Sequence, residues 1–475
     1  MNAQTSFSSK EIQAASSDQY LNGLLKQCQG KTVALQDSET ATWLQQVRDH
    51  ASSSLAQSSM PTKRDEEWRF TDLSPLMQHD FQADGEASVA PSTVEGLTLP
   101  EASTTRLVFV NGVYSHQLSE VTDLPKGVYV GNLSCMSAAH TSRLQNYLAQ
   151  QEGSEELFTA LNTASLTDAA VIWAAPNQIV ETPIHLLFLS VPGETPTLSQ
   201  PRALVVAHTS ASLEVIEQYT SLSESENRPN TGELPARQGE LTARPYLTNA
   251  VTEIWAEENA QVTHTRVQQE SQQGFHIGKS AITQSRDSRY TCNAISFGAR
   301  LSRHNLDVFC HGSQSDTNLN GLTVIRGEQL SDTHSAIAYT TPHCTSDQLH
   351  KCIIDDRAHA VFNGKVFVPK AAQLTNAAQL NRNLLLSPKA HVNTKPQLQI
   401  TADNVQCSHG ATVSQLEADE LFYLRSRGLN ESDARNLLID AFAAEMLQRI
   451  PTPSLRKTLS ASLREGRGQK AEGRG

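Results

Sequence analysis

Disulfide and zinc frameworks are absent from this chain of 475 residues: its seven cysteines are an odd number and no CxxC pair occurs. A large chain of that kind without an export signal fits reduced thiols in a cytoplasm. A basic excess is also missing. Thirty-eight Lys and Arg stand against fifty Asp and Glu, a net charge of −12, which argues against nucleic acid as a partner. The longest apolar runs, such as LLFL within Ile184 to Val191, fall far short of a bilayer span. MNAQTSFSSKEIQAASSDQY at the N-terminus has no apolar core and carries Glu11 and Asp18, unlike a secretory signal. Aromatics are only 5% of residues while Ser, Thr, Asn and Gln abound, which suits a thin repetitive core better than a large globular one. No HExxH, GxSxG, Rossmann glycine set or catalytic triad is recognisable.

What is present falls into three stretches. Residues 17–59 carry helical spacing (Leu21, Leu24, Leu25; Trp43, Leu44, Val47), and 80–100 reads as a linker, giving an N-terminal helical region and linker over 1–105. Beyond it, from 106 to 416, come one helical patch around Leu144 to Leu166 and then short apolar bursts such as LDVFC, LTVIRG, SAIAY and KCIIDD. Between Leu306 and Leu416 their centres lie roughly 13–17 residues apart, with no amphipathic helix between them. That is long for hairpins and short for βαβ units, and predicts a mainly β chain built as a β-helix, with a β-sandwich as the alternative. Asn318, Asn320, Asn363, Thr375, Asn376, Asn381 and Asn383 are expected at its corners. A polar insertion at 221–244 reads as a mobile surface loop. Helices return over 417–451: the first ends at Gly428. The second is capped by Asn430 with Asp433 three residues on, and carries Ala434, Leu437, Leu438, Ala441, Phe442 and Met446. The tail 452–475 is expected to be flexible.

Three groups offer chemistry. GFHIGKS (274–280) has three residues between its glycines where a phosphate-binding loop needs four, so it reads as a turn between strands. His343-Cys344 and His350-x-Cys352 are metal-ligand types without the usual loop spacing. Cys407 and His409 in NVQCSHGATV stand two apart, which on a strand places both on one face, roughly 6–7 Å apart. They form half of a metal or sulfur site, or else a buried thiol beside a hydrogen-bonded histidine. In LFYLRSRG, the bulk of Leu421, Phe422 and Tyr423 and the charges of Arg425 and Arg427 suit either partner docking or a solvated helix face.

KRDEEWRFTDL, LVFVNGVYS, YLTNAVTEI, FNGKVFV, AAQLTNAAQLNRNLLLS, KPQLQITADNVQCSHGATV and LFYLRSRGL together resemble the SufB/SufD family of scaffold subunits in SUF iron–sulfur cluster assembly, from about Pro61 to Pro451. Cys-Ser-His where SufB has Glu-His resembles the D-type branch, SufD. The resemblance implies a right-handed parallel β-helix flanked by N-terminal and C-terminal helical regions, paired with SufB. It implies C-terminal helices that hold the ABC-type ATPase SufC, and so no enzyme activity in this chain. It places His409, with Cys407 beside it, at the SufB interface where a transient cluster forms, with no cofactor held by the chain alone and reduced flavin a possible component of the complex. The rivals from other classes are a metal-dependent β-solenoid enzyme using His343, His350, Cys352 and His409, and a purely structural β-helix.

Overall fold

The computed structural model describes residues 19–27, 35, 37–83, 87–222 and 244–472. The strands form two long sheets, of eleven and ten strands, and from Ile184 on each successive strand of a sheet pairs in parallel with the one a turn earlier. Leu301 aligns with Leu330 and Leu330 with His359, and on the other sheet Asp316 aligns with Thr345. One turn of about 30 residues therefore holds one strand of each sheet, and the burst spacing read from the sequence is half a turn. The chain is a parallel β-helix.

Alternate residues of each strand face the interior. Val205, Ile254, Ile282, Val308, Ile337, Val366 and Leu398 stack in one column across seven turns. Each fully buried aliphatic side chain contributes about 1.5–3 kcal/mol, which offsets the ordering of so many short strands. The corners are not the expected asparagines. Asn318, Asn320, Asn363, Asn376, Asn381 and Asn383 lie within strands, and Thr375 directly precedes one. The corner between the sheets uses one left-handed residue per turn: Ser210, Asn259, Asp287, Gln314, His343 and Leu374, with φ between 55° and 65°. Each donates its N–H to the corner carbonyl of the next turn, as Asp287 does to Ser313 (3.0 Å) and His343 to Gln373 (3.0 Å). That stacked ladder stabilises a conformation that costs side-chain-bearing residues roughly 1–2 kcal/mol.

The KRDEEWRFTDL stretch straps the outer face of one sheet. Glu66 pairs with Lys395 (2.5 Å), Glu67 with Lys365 and His334, and Thr71 donates to Asp332 (2.6 Å). Arg303 lies 4.0 Å over the Trp68 ring and pairs with Asp332 at 2.5 Å. Against the cost of burial, Arg303 holds the Asp332 carboxyl down at about 2. GFHIGKS is no turn: it lies inside the strand Gly274–Gln284, with Lys279 buried between Glu156 and Asp307.

At the C-terminus, helix Ala418–Ser426 ends at Gly428 (φ 97°), a conformation open to glycine. Helix Glu431–Leu447 is capped by Asn430, whose side chain accepts from the Asp433 N–H at 2.8 Å. Its buried face is Ala434, Ile439, Ala443, Met446 and Leu447, while Leu437 points to solvent, against the face read from the sequence. This helix packs on the outer face of the second sheet over Val267, Ile295, Leu322 and Ile353. Residues expected as a flexible tail instead form helix Pro453–Glu472. The 221–244 insertion lies, save its ends, outside the described residues.

Candidate functional site

The last turn of the β-helix is Gln406–Ser414 on one sheet and His391–Ile400 on the other. Each pairs only with the preceding turn among the described residues, so both leave an open edge of backbone donors and acceptors. Cys407 aligns with Ala377, and His409 with Gln379. Ala377 and Gln379 are buried, so Cys407 and His409 continue two interior columns onto the final turn. The shared face expected from their spacing is there, and none of the described residues covers His409, which is exposed, while Cys407 is half-buried, packed against the end of the core. Burial raises the Cys407 thiol above its ordinary value, only partly countered by a hydrogen bond with the Ala377 backbone. A metal ion would have to displace that proton.

Three buried side-chain oxygens in the last turns, Gln379 Oε1, Asn383 Oδ1 and Thr394 Oγ1, have no hydrogen-bond partner. Buried oxygens of this kind are rare in finished interiors, because each costs roughly 1–3 kcal/mol. Such oxygens also occur in earlier turns, at Gln268 and Ser315, so they do not by themselves single out this end.

The other ligand types do not assemble. His343 occupies a corner, and the buried Cys344 sulfur contacts backbone carbonyls of Gly312 and Thr341. His350 and Cys352 do share a face, but inside the β-helix. His350 stacks on Phe362 (5.0 Å) and bonds Thr323, and burial lowers it to about 4. Burial pushes the Cys352 thiol up to about 12. No group of three or more His, Cys, Asp and Glu side chains suited to a metal ion occurs among the described residues. The four residues of the rival enzyme reading are therefore separate: one corner, two enclosed side chains and one exposed end.

Helix Ala418–Ser426 buries no residue. Phe422 (73% exposed) and Tyr423 (57%) face solvent, Leu421 is half-covered, and Arg425 and Arg427 are exposed, with Arg427 over the Tyr423 ring at 5.3 Å. Two large rings on one short helix are thus left out of the core. No helix among the described residues is long and apolar enough to cross a membrane.

What the sequence reading missed is the polar column beneath His409. Gln348, Gln379 and His409 follow one another at the turn repeat (348, 379, 409), a spacing visible only once the repeat length is known.

These features define the class: a parallel β-helix strapped at one flank, with a cysteine and a histidine on its last turn and an exposed aromatic helix beyond it. The chain belongs to the SufBD family: residues 189–442 match the family model "SUF system FeS cluster assembly, SufBD core domain", and residues 15–186 match "SufBD protein N-terminal region". It is 51% identical to an iron-sulfur cluster assembly SufBD family protein of Synechocystis, over 87% of this chain and 88% of that protein. It is 33% identical to the chloroplastic protein ABCI7 of Arabidopsis thaliana, over 94% of this chain and 91% of that protein. Identity to the iron-sulfur cluster assembly protein SufD of Escherichia coli is 29%, over 86% and 90%. Family membership carries a role in SUF iron–sulfur cluster assembly.

Proposed function

We propose that this chain is a non-catalytic scaffold subunit of SufD type. The open end of its β-helix pairs with SufB, helix Ala418–Ser426 with Leu421, Phe422, Tyr423, Arg425 and Arg427 docks the ATPase SufC, and a nascent cluster is built at the SufB contact. His409, with Cys407, supplies part of its coordination. One observation carries the reading: the only inward-facing thiol and imidazole left accessible among the described residues of the last turn stand together at an edge without a strand partner. Iron–sulfur clusters take thiolates, with histidine an occasional ligand, and usually four protein ligands. Two donors on one chain leave the remainder to the neighbour, which suits a cargo that is assembled and released. ATP hydrolysis belongs to SufC on this reading, and a twist transmitted through the C-terminal helices would open the shared site. Reduced flavin, where present, belongs to the complex.

The test is co-expression with SufB and SufC followed by anaerobic iron and sulfide quantification. His409→Ala should abolish cluster loading while the complex still assembles; loading equal to wild type overturns the site. Deleting residues 417–450 should abolish co-purification of SufC and leave the β-helix folded; retained binding places that contact elsewhere.

A further inference from the structure

Hydrogen-bonded amides run through the interior toward the last turn. Gln348 Nε2 donates to Ser335 Oγ at 2.8 Å, and Gln379 Nε2 donates to Gln348 Oε1 at 2.8 Å. Gln348 donates across the core to the opposite sheet, whereas Gln379 donates back to the preceding turn of its own sheet. Gln348 Oε1 thus accepts from the turn that follows, but Gln379 Oε1 is buried with no partner at all. Gln379 itself is 3% exposed, so water does not readily satisfy that oxygen. The next residue in the same column, one strand spacing of about 4.8 Å further, is His409.

The position of the glutamine is enforced from the opposite sheet. Gly364, in FNGKVFV, faces its amide: a methyl group on Gly364 would fall 2.8 Å from Gln379 Cδ and closer still to Nε2. Only a residue without a side chain leaves room for the amide there. One N–H of the amide is committed to Gln348, and Oε1, which has no partner, remains an available acceptor. A histidine that ligates metal through one ring nitrogen characteristically donates the other N–H to such an acceptor, which fixes its tautomer and ring orientation.

We infer that Gln379 is the positioning residue for His409: its Oε1 accepts the imidazole N–H and leaves the second ring nitrogen, lone pair outward, for the cluster. The inference rests on the proposed role of His409, and its test separates the two. In the full-length chain, NMR of 15N-labelled histidine should show a His409 ring N–H protected from exchange with water. Gln379→Met, which keeps length but removes the acceptor, should lose that proton, and Gln379→Glu should keep it, since a carboxyl oxygen accepts in the same place. Gly364→Ala, which displaces the amide without changing its chemistry, should act as Gln379→Met does. In the complex with SufB and SufC, iron loading should fall roughly 10–100-fold for Gln379→Met, with recovery in Gln379→Glu. A merely structural glutamine predicts the reverse order, because glutamate in its ionised form cannot donate to Gln348. A His409 ring proton that survives in Gln379→Met, or loading restored by no acceptor, overturns the inference. Unchanged loading in His409→Ala overturns the proposed site instead, and leaves the ring-proton result to decide on Gln379. Thermal melting of each variant, expected within a few degrees of wild type, shows that folding is not what is being read.

Discussion

At its N-terminal end the β-helix begins with strand Thr105–Val110, flanked by the short antiparallel strands Val113–Tyr114 and Glu120–Val121, and the other sheet begins with Val128–Asn132, antiparallel to Ala170–Ala174. Helical segments pack on the outer flank near this end, where buried Leu44, Leu133, Leu144 and Leu148 meet the outward-facing Val171, Trp173, Leu204 and Val206. The C-terminal end has no antiparallel strand among the described residues: Gln406–Ser414 and His391–Ile400 run parallel to their neighbours and stop, with Val413 and Ile400 exposed. Antiparallel strands and covering helices blunt an edge against association, and a bare parallel edge invites it. Among the described residues, one end is finished by antiparallel strands and the other is left as an open parallel edge. The two ligand types stand at the second.

The contrast is sharpest for stability. Ile337, enclosed in mid-column, should cost about 2–5 kcal/mol when cut to alanine, measured by denaturant unfolding of the isolated chain. Val413→Ala, on the open edge, should stay within about 0.5 kcal/mol. Equal costs would mean that the last turn is covered in solution.

Acid should act on the enclosed part of the β-helix through His350. Burial lowers His350 to about 4, below the ordinary 6.5, so the unfolded chain takes up the proton first. The stability tied to its neutral form is complete above about pH 6.5 and declines toward pH 4, by on the order of 3 kcal/mol. Melting curves of His350→Gln should be flatter over that window than wild type.

Blocking the open edge without disturbing the fold is the third way to break the comparison. Val413→Lys should weaken association with SufB about tenfold, roughly 1.4 kcal/mol, with little change in the melting of the chain alone. Binding as tight as wild type would place the SufB contact away from this edge. The smallest effect lies at the helical region: Asn430→Ala removes a cap worth about 1 kcal/mol, visible as faster amide exchange in the first turn of helix Glu431–Leu447.

The strand bursts, the caps at Gly428 and Asn430, and the common face of Cys407 and His409 were legible in the sequence because each depends on local spacing. The corners were not. A left-handed residue normally announces itself as Gly or Asn, but stacked N–H donors between turns hold Ser210, Gln314, His343 and Leu374 there as well. Without that signal the turn boundaries blur, and GFHIGKS reads as a turn although it crosses a sheet. The buried face of helix Glu431–Leu447 was misread for a similar reason: both of its sides carry aliphatic residues, and only the position of the second sheet selects Ile439 over Leu437. The strap was recognisable as a motif but not as a mechanism, since its partners Asp332, Lys365 and Lys395 lie more than 260 residues away in the chain.

The C-terminal helices lie along the barrel like a splint. From Leu384 they span successive turns back to Ile216, and Thr452 and Ser454 are bonded to Glu214 and Glu101 near the opposite end. A torque applied at helix Ala418–Ser426 is consequently shared along the length of the barrel.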